Sequence, residues 1–117
     1  MSCDMCFGVR GKTFVNQMEM ALGILPGGTG TQRYPRLIGR NRAVEVIMGG
    51  ADLDADTAER RGYLNRAFDP EQIGPYLEWL THRVALFPAE AVRLAKQTIN
   101  SADNPTAAGF RNESYLF

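Results

Sequence analysis

Apolar and polar residues alternate along a few short stretches of the chain, and each of these stretches predicts a strand. The first covers residues 3–10, where every second position is apolar. A turn at Gly11-Lys12 separates it from a second brief strand over 13–15. A third strand is predicted over 63–68 and ends at Asp69-Pro70. The chain therefore offers three short strands.

A three-four repeat of apolar positions predicts that most of the remaining chain is helical. The helices are expected over residues 40–48, 55–61, 72–86, from Pro88 until the helix frays near 103–105, and from Thr106 to the end. Their apolar faces are Ala43, Val44 and Ile47 in the first, Ile73, Leu77, Leu80, Val84 and Phe87 in the third, and Val92, Ala95 and Ile99 in the fourth.

Residues that begin and end helices fit these boundaries. Gly49-Gly50 is expected to end the first helix, and Asp54 is a good N-cap for the second, which Gly62 follows. Several amphipathic helices then have only three short strands to pack on. Such helices normally cover a larger layer, so the chain is interpreted as the outer part of a larger fold.

Composition and charge narrow the class of protein. The 117 residues include 13 basic and 13 acidic side chains, so bulk charge predicts no nucleic-acid or membrane partner. No apolar run approaches the roughly 18 to 20 residues of a membrane span, and the first ten residues lack the pattern of a secretory signal. A cytoplasmic location is expected.

The two cysteines, Cys3 and Cys6, form a CxxC motif near the N-terminus. A zinc site would need two further ligands, and the chain has a single histidine, His82, and no other cysteine. A redox pair of the thioredoxin type would be expected to open a helix, whereas the residues after Cys6 are strand-like. Buried or half-buried thiols are the favoured interpretation, and no metal site is predicted.

The most distinctive segment, 19–36, contains Gly23, Pro26, Gly27, Gly28 and Gly30 within eight positions. It lacks the lysine of a phosphate-binding P-loop and the third glycine of a dinucleotide fingerprint. One interpretation is a tight turn into a short helix. The other adds chemistry, because a carboxylate, Glu19, precedes backbone N–H groups at a helix N-terminus that can hold a water or an anion.

The order of these residues resembles the crotonase, or enoyl-CoA hydratase/isomerase, superfamily. The resemblance rests on Gln17-Met18-Glu19, on the run LGILPGGTGTQRYPR over 22–36, on the segment 58–66 and on the helix after Phe87-Pro88. It covers residues 3 to about 101 and is expected to correspond to the C-terminal half of the family's fold. Met18 stands where the family usually has proline, and Thr29 replaces a small residue of the glycine-rich loop.

The resemblance implies an α/β crotonase-like (ClpP/crotonase) fold fragment, mostly helical with a few short strands. Residues 1–68 would end the ββα core, and 69–117 would form a truncated helical region. The family uses acyl-CoA thioesters, stabilises an enolate in an oxyanion hole, and usually assembles as trimers or hexamers. No cofactor is implied beyond the coenzyme A of the substrate.

By the same resemblance Glu19 is the candidate catalytic residue, and the candidate substrate-binding residues are Leu25, Pro26, Gly27 and Gly28. The family's G-G-G-x-E stretch and its other oxyanion-hole loop are expected upstream of Cys3. Two functions follow as alternatives: a weak or inactive hydratase/isomerase fragment, in which isomerisation is favoured over hydration, or a non-catalytic subunit that binds a complete crotonase-fold partner. A homo-oligomer is also an expected assembly. The basic cluster Arg33, Arg36, Arg40 and Arg42 is interpreted as a solvated helix face, with CoA phosphate binding as the alternative.

Overall fold

The computed structural model describes residues 3–28 and 30–102. Contacts divide the chain into two compact units, Met1–Gly74 and Pro75–Phe117. The predicted helix from Thr106 lies outside the described residues, as does Thr29 in the glycine-rich loop. The proposed division of the fold into residues 1–68 and 69–117 stays a prediction.

Four short strands in the first unit form two pairs. Strand β1 (Phe7–Val9) pairs in parallel with β4 (Arg66–Phe68), and β2 (Phe14–Val15) pairs antiparallel with β3 (Leu53–Asp54). The register places Gly8 opposite Ala67 and Val15 opposite Leu53. The three predicted strand regions are confirmed over shorter spans, and β3 is a strand that the sequence pattern did not indicate.

Three helices of the first unit enclose its core: α1 (Gly30–Ile38), α2 (Arg40–Gly49) and α3 (Ala55–Arg60). The buried cluster that joins them to the strands is Val15, Tyr34, Ile38, Ala43, Val46, Ile47, Leu53, Ala55, Ala58, Leu64 and Ala67. The predicted apolar face of α2 is wrong at Val44, which is 40% exposed, because the core lies on the side of Val46.

The predicted helix ends agree with the structure. Gly50 caps α2 in the left-handed conformation with φ of 60°, a backbone geometry that glycine adopts without steric cost. The Asp54 carboxylate accepts a 2.7 Å hydrogen bond from the Thr57 N–H and so satisfies a free donor at the start of α3. These local interactions fix where the two helices stop and start.

Helix α4 (Pro70–Ala85) begins two residues before its predicted start, and α5 (Ala89–Ser101) follows Pro88 as predicted. Neither helix buries a residue within the described chain. The predicted apolar stripes are therefore only partly covered: Ile73, Leu77, Leu80 and Val92 are half-buried, whereas Val84, Phe87 and Ile99 are exposed. Trp79 is also exposed and contacts the Tyr76 ring at 5.6 Å between centroids. No helix in the described part of the chain is long and apolar enough to cross a membrane.

Candidate functional site

The candidate site begins at a 3₁₀ turn, Met18–Leu22, which carries Glu19 in its first turn. The turn ends at Gly23, which adopts the left-handed conformation with φ of 74°. The Glu19 carbonyl accepts a 3.2 Å hydrogen bond from the Ile24 N–H. Glu19 is therefore tied through its backbone to the start of the glycine-rich loop, which brings the two parts of the motif together.

The Glu19 side chain is half-buried, and its Oε2 atom is buried without a hydrogen-bond partner among the described residues. Buried carboxylate oxygens are normally satisfied, so an unpartnered oxygen indicates a place where a donor from outside the protein can bind. A carboxylate in this setting can accept a proton from a bound molecule and return it.

The loop after Gly23 presents some predicted binding residues to solvent and buries one of them. Leu25 is 73% exposed, and Gly27 and Gly28 are exposed as well. No backbone hydrogen bond links the N–H of Gly27 or Gly28 to another residue in the described ranges. Pro26 is buried and lies next to Gly30, which favours a packing role for it.

The first residue of α1 is packed tightly against the Gln17 side chain. A Cβ on Gly30 would overlap the Gln17 side-chain oxygen and would approach the Pro26 Cβ at 3.0 Å. Gln17 Nε2 donates to the Asn16 carbonyl at 3.1 Å, while Gln17 Oε1 is buried without a partner among the described residues. The sequence analysis gave Gln17 no role of its own. Its position two residues before Glu19 in the same motif was the signal that could have indicated a structural role.

The basic cluster lies beside an open cleft at the start of α2. A cavity of about 330 Å³ is lined by Ile38, Gly39, Arg40, Asn41 and Arg42. All four arginines of the cluster are exposed, and Arg36 Nη1 donates to the Gln32 carbonyl of its own helix at 3.0 Å. Arg40 and Arg42 line this cleft, whereas Arg33 and Arg36 lie on α1.

Comparison with known proteins identifies the family. A sequence profile of the enoyl-CoA hydratase/isomerase family matches residues 1–117. A probable enoyl-CoA hydratase (echA8) of Mycobacterium leprae is 33% identical over 118 residues, which covers 100% of this chain and 46% of that protein. The chain thus spans about half the length of this relative.

Two solved structures place the described elements in the same fold. An enoyl-CoA hydratase subunit I from Geobacillus kaustophilus superposes with a TM-score of 0.90 at 36% identity, covering 99% of this chain and 45% of that one. A putative enoyl-CoA hydratase from Thermobifida fusca, solved with acetoacetyl-CoA, gives a TM-score of 0.88 at 28% identity, covering 98% of this chain and 45% of that one.

These matches support a fragment of the crotonase fold over slightly less than half of each relative. They do not bear out the expectation that the fragment is the C-terminal half. Family membership rests on the profile match along all 117 residues and on the agreement of the fold. The chain belongs to the enoyl-CoA hydratase/isomerase family.

Proposed function

We propose that this chain contributes to a site that acts on acyl-CoA thioesters, with the Glu19 carboxylate as its acid–base group. The observation that carries the proposal is the buried Glu19 Oε2, which has no hydrogen-bond partner among the described residues. The thioester class is supported by family membership and by the acetoacetyl-CoA held in the Thermobifida fusca structure.

The chemistry that suits a single carboxylate is transfer of a proton between two carbon atoms. Glu19 would remove a proton from the α-carbon of a 3-enoyl thioester, and the electron pair would move toward the thioester oxygen. Return of the proton to the γ-carbon shifts the double bond to the 2-position and regenerates the carboxylate. We favour isomerisation over hydration because this proton transfer needs a single carboxylate. Among the described residues, Glu19 carries the one carboxylate oxygen that is buried without a hydrogen-bond partner.

The loop beside Glu19 offers groups for holding the substrate. Gly27 and Gly28 are exposed, and their N–H groups, which have no backbone partner among the described residues, would bind a water or a substrate oxygen. The exposed Leu25 side chain would contact the acyl chain. Pro26 would shape the loop through its burial against Gly30 rather than touch the substrate.

The test is the rate at which the chain exchanges the α-protons of a 3-enoyl-CoA with deuterium, followed by proton NMR. Glu19→Gln should reduce this rate by about 10²–10⁴-fold, the usual contribution of a general acid–base group. The exposed Glu71→Gln variant, on the first turn of α4, is the matched control and should exchange like the unmodified chain. Equal rates for the Glu19 variant and the unmodified chain would refute the assignment.

A second function, association with a complete crotonase-fold partner without catalysis, is favoured by exposed apolar residues of α5 and of the segment between α4 and α5. Leu86, Phe87 and Ile99 are 71%, 49% and 70% exposed in the described chain. Large exposed apolar residues mark interfaces or aggregation sites. Absence of proton exchange in the unmodified chain, together with co-elution with such a partner in gel filtration, would favour this function. A folded monomer that stays separate would exclude it.

A further inference from the structure

The two cysteines line one small cavity, although neither takes part in the proposed chemistry. The cavity has a volume of about 80 Å³ and is lined by Cys3, Asp4, Met5, Cys6, Leu37, Tyr63 and Asn65. Both cysteines are free thiols; Cys3 is exposed and Cys6 is half-buried. The chain contains no other cysteine, so each thiol has a single possible partner within the molecule.

Cys6 is held in place by Asn65 from the segment that leads into β4. The Cys6 N–H donates to Asn65 Oδ1 at 2.7 Å, and the Asn65 N–H donates to the Cys6 carbonyl at 2.7 Å. The chain bends at Cys3 and Asp4. Residues three positions apart in an extended strand lie about 10 Å apart, beyond the reach of a disulfide, and a bend shortens that separation.

We propose that Cys3 and Cys6 form a redox-active dithiol that closes to an intramolecular disulfide across this cavity. With a low-molecular-weight disulfide such as oxidised glutathione, the exposed Cys3 thiolate attacks one sulfur and releases one glutathione thiolate. The Cys6 thiolate then attacks the Cys3 sulfur of the mixed disulfide and releases the second. The dithiol loses two electrons, and one glutathione disulfide is reduced to two glutathione thiols.

The test compares the equilibrium between dithiol and disulfide in the folded chain and in the chain unfolded by urea. Samples equilibrated in reduced and oxidised glutathione are trapped with N-ethylmaleimide and read by mass spectrometry under non-reducing conditions. We expect the folded chain to form the disulfide at least about tenfold more favourably than the unfolded chain, because the fold anchors Cys6 and places both residues at one cavity. The product should be monomeric and lack two hydrogens.

Asn65→Ala should move the equilibrium of the folded chain toward the unfolded value, because it frees Cys6 from one anchoring hydrogen bond. The exposed Asn41→Ala variant on α2 is the matched control and should leave the equilibrium unchanged. Far-UV circular dichroism checks that both variants fold. Equal equilibria for the folded and unfolded chains, a mixed disulfide with glutathione as the stable product, or a disulfide-linked dimer would each overturn the proposal.

Discussion

Replacing Tyr34 with phenylalanine removes a buried hydroxyl that has no hydrogen-bond partner among the described residues. Tyr34 is 0% exposed, and its ring contacts the Tyr63 ring at 5.2 Å between centroids. The substitution retains this aromatic contact and the ring volume. Leaving a buried polar group unsatisfied costs about 1–3 kcal/mol, so the Phe variant should equal or exceed the unmodified chain in stability.

A gain of about 1 kcal/mol would raise the melting temperature of a unit of this size by roughly 4–8 °C. Urea unfolding followed by far-UV circular dichroism measures the same change as a higher midpoint with an unchanged slope. Tyr34→Leu, which loses the ring contact and leaves a void, is the contrasting variant and should be less stable than the unmodified chain. A loss of more than about 1 kcal/mol in Tyr34→Phe would show that the hydroxyl is satisfied and would refute the reasoning.

The same hydroxyl gives the stability of the protein a dependence on alkaline pH. Burial raises the pKa of Tyr34 from 10.0 to about 12. The raised pKa therefore leaves the free energy of unfolding unchanged below pH 10.0 and lowers it as the pH rises from 10.0 toward 12, because the unfolded chain releases the proton first. The free energy of unfolding of Tyr34→Phe relative to the unmodified chain should rise by roughly 1 kcal/mol by about pH 11, because phenylalanine has no proton to release. A difference that stays constant with pH would contradict the burial of the hydroxyl.

Two further variants test the packing around β1 and the start of α3. Gly8→Ala should destabilise by about 1–3 kcal/mol, since its Cβ would lie 2.6 Å from Leu64 Cδ1; Gly49→Ala, with no atom within 4 Å, is the control and should not destabilise in the same urea titration. Asp54→Ala should lower the urea midpoint of unfolding. Asp54→Asn should keep the midpoint close to that of the unmodified chain, because asparagine also caps helices. The hydrogen bond from Thr57 lowers the pKa of Asp54. The difference in urea midpoint between the unmodified chain and Asp54→Ala should therefore shrink as the pH falls below 3.8. A gap that persists in acid would assign the effect to something other than the charged cap.

The sequence predicted most reliably the features that depend on neighbours along the chain. Asp54 was identified as an N-cap and Gly49-Gly50 as a helix end because capping involves groups within one turn. The inward face of α2 could not be settled the same way. Val44 and Val46 both flank the stripe through Ala43 and Ile47, and the position of the core decides which of the two is buried.

Tyr34 shows a related limit, because nothing local distinguishes it from an exposed residue. It lies in a glycine- and arginine-rich segment, yet it is the largest fully buried side chain of the described residues. Its burial depends on Tyr63, which lies 29 positions away along the chain and contacts its ring. The stripes of α4 and α5 show the opposite case: their periodicity predicts helices correctly, but it carries no information about what covers them.

The candidate site was also predicted only in part: the motif gave its residues but not the contacts between them. The motif identified Glu19, and Met18 is a departure from it because proline usually stands at this position in the family. Met18 is the first residue of the 3₁₀ turn, where proline is favoured for its fixed φ and where its missing N–H costs nothing. A methionine can adopt the same backbone geometry, and its side chain is 57% exposed, so the substitution need not move the carboxylate.

The contact between Gln17 and Gly30 joins the two halves of the motif more directly than Met18 does. The absence of a Cβ on Gly30 lets the Gln17 amide lie against the start of α1. Gln17 precedes the turn that carries Glu19, and the loop with Gly27 and Gly28 runs from that turn toward the same helix end. The spacing of the motif follows from this geometry: a glycine is needed where the loop enters α1, because the residue that leads into the acidic turn occupies the space of its side chain.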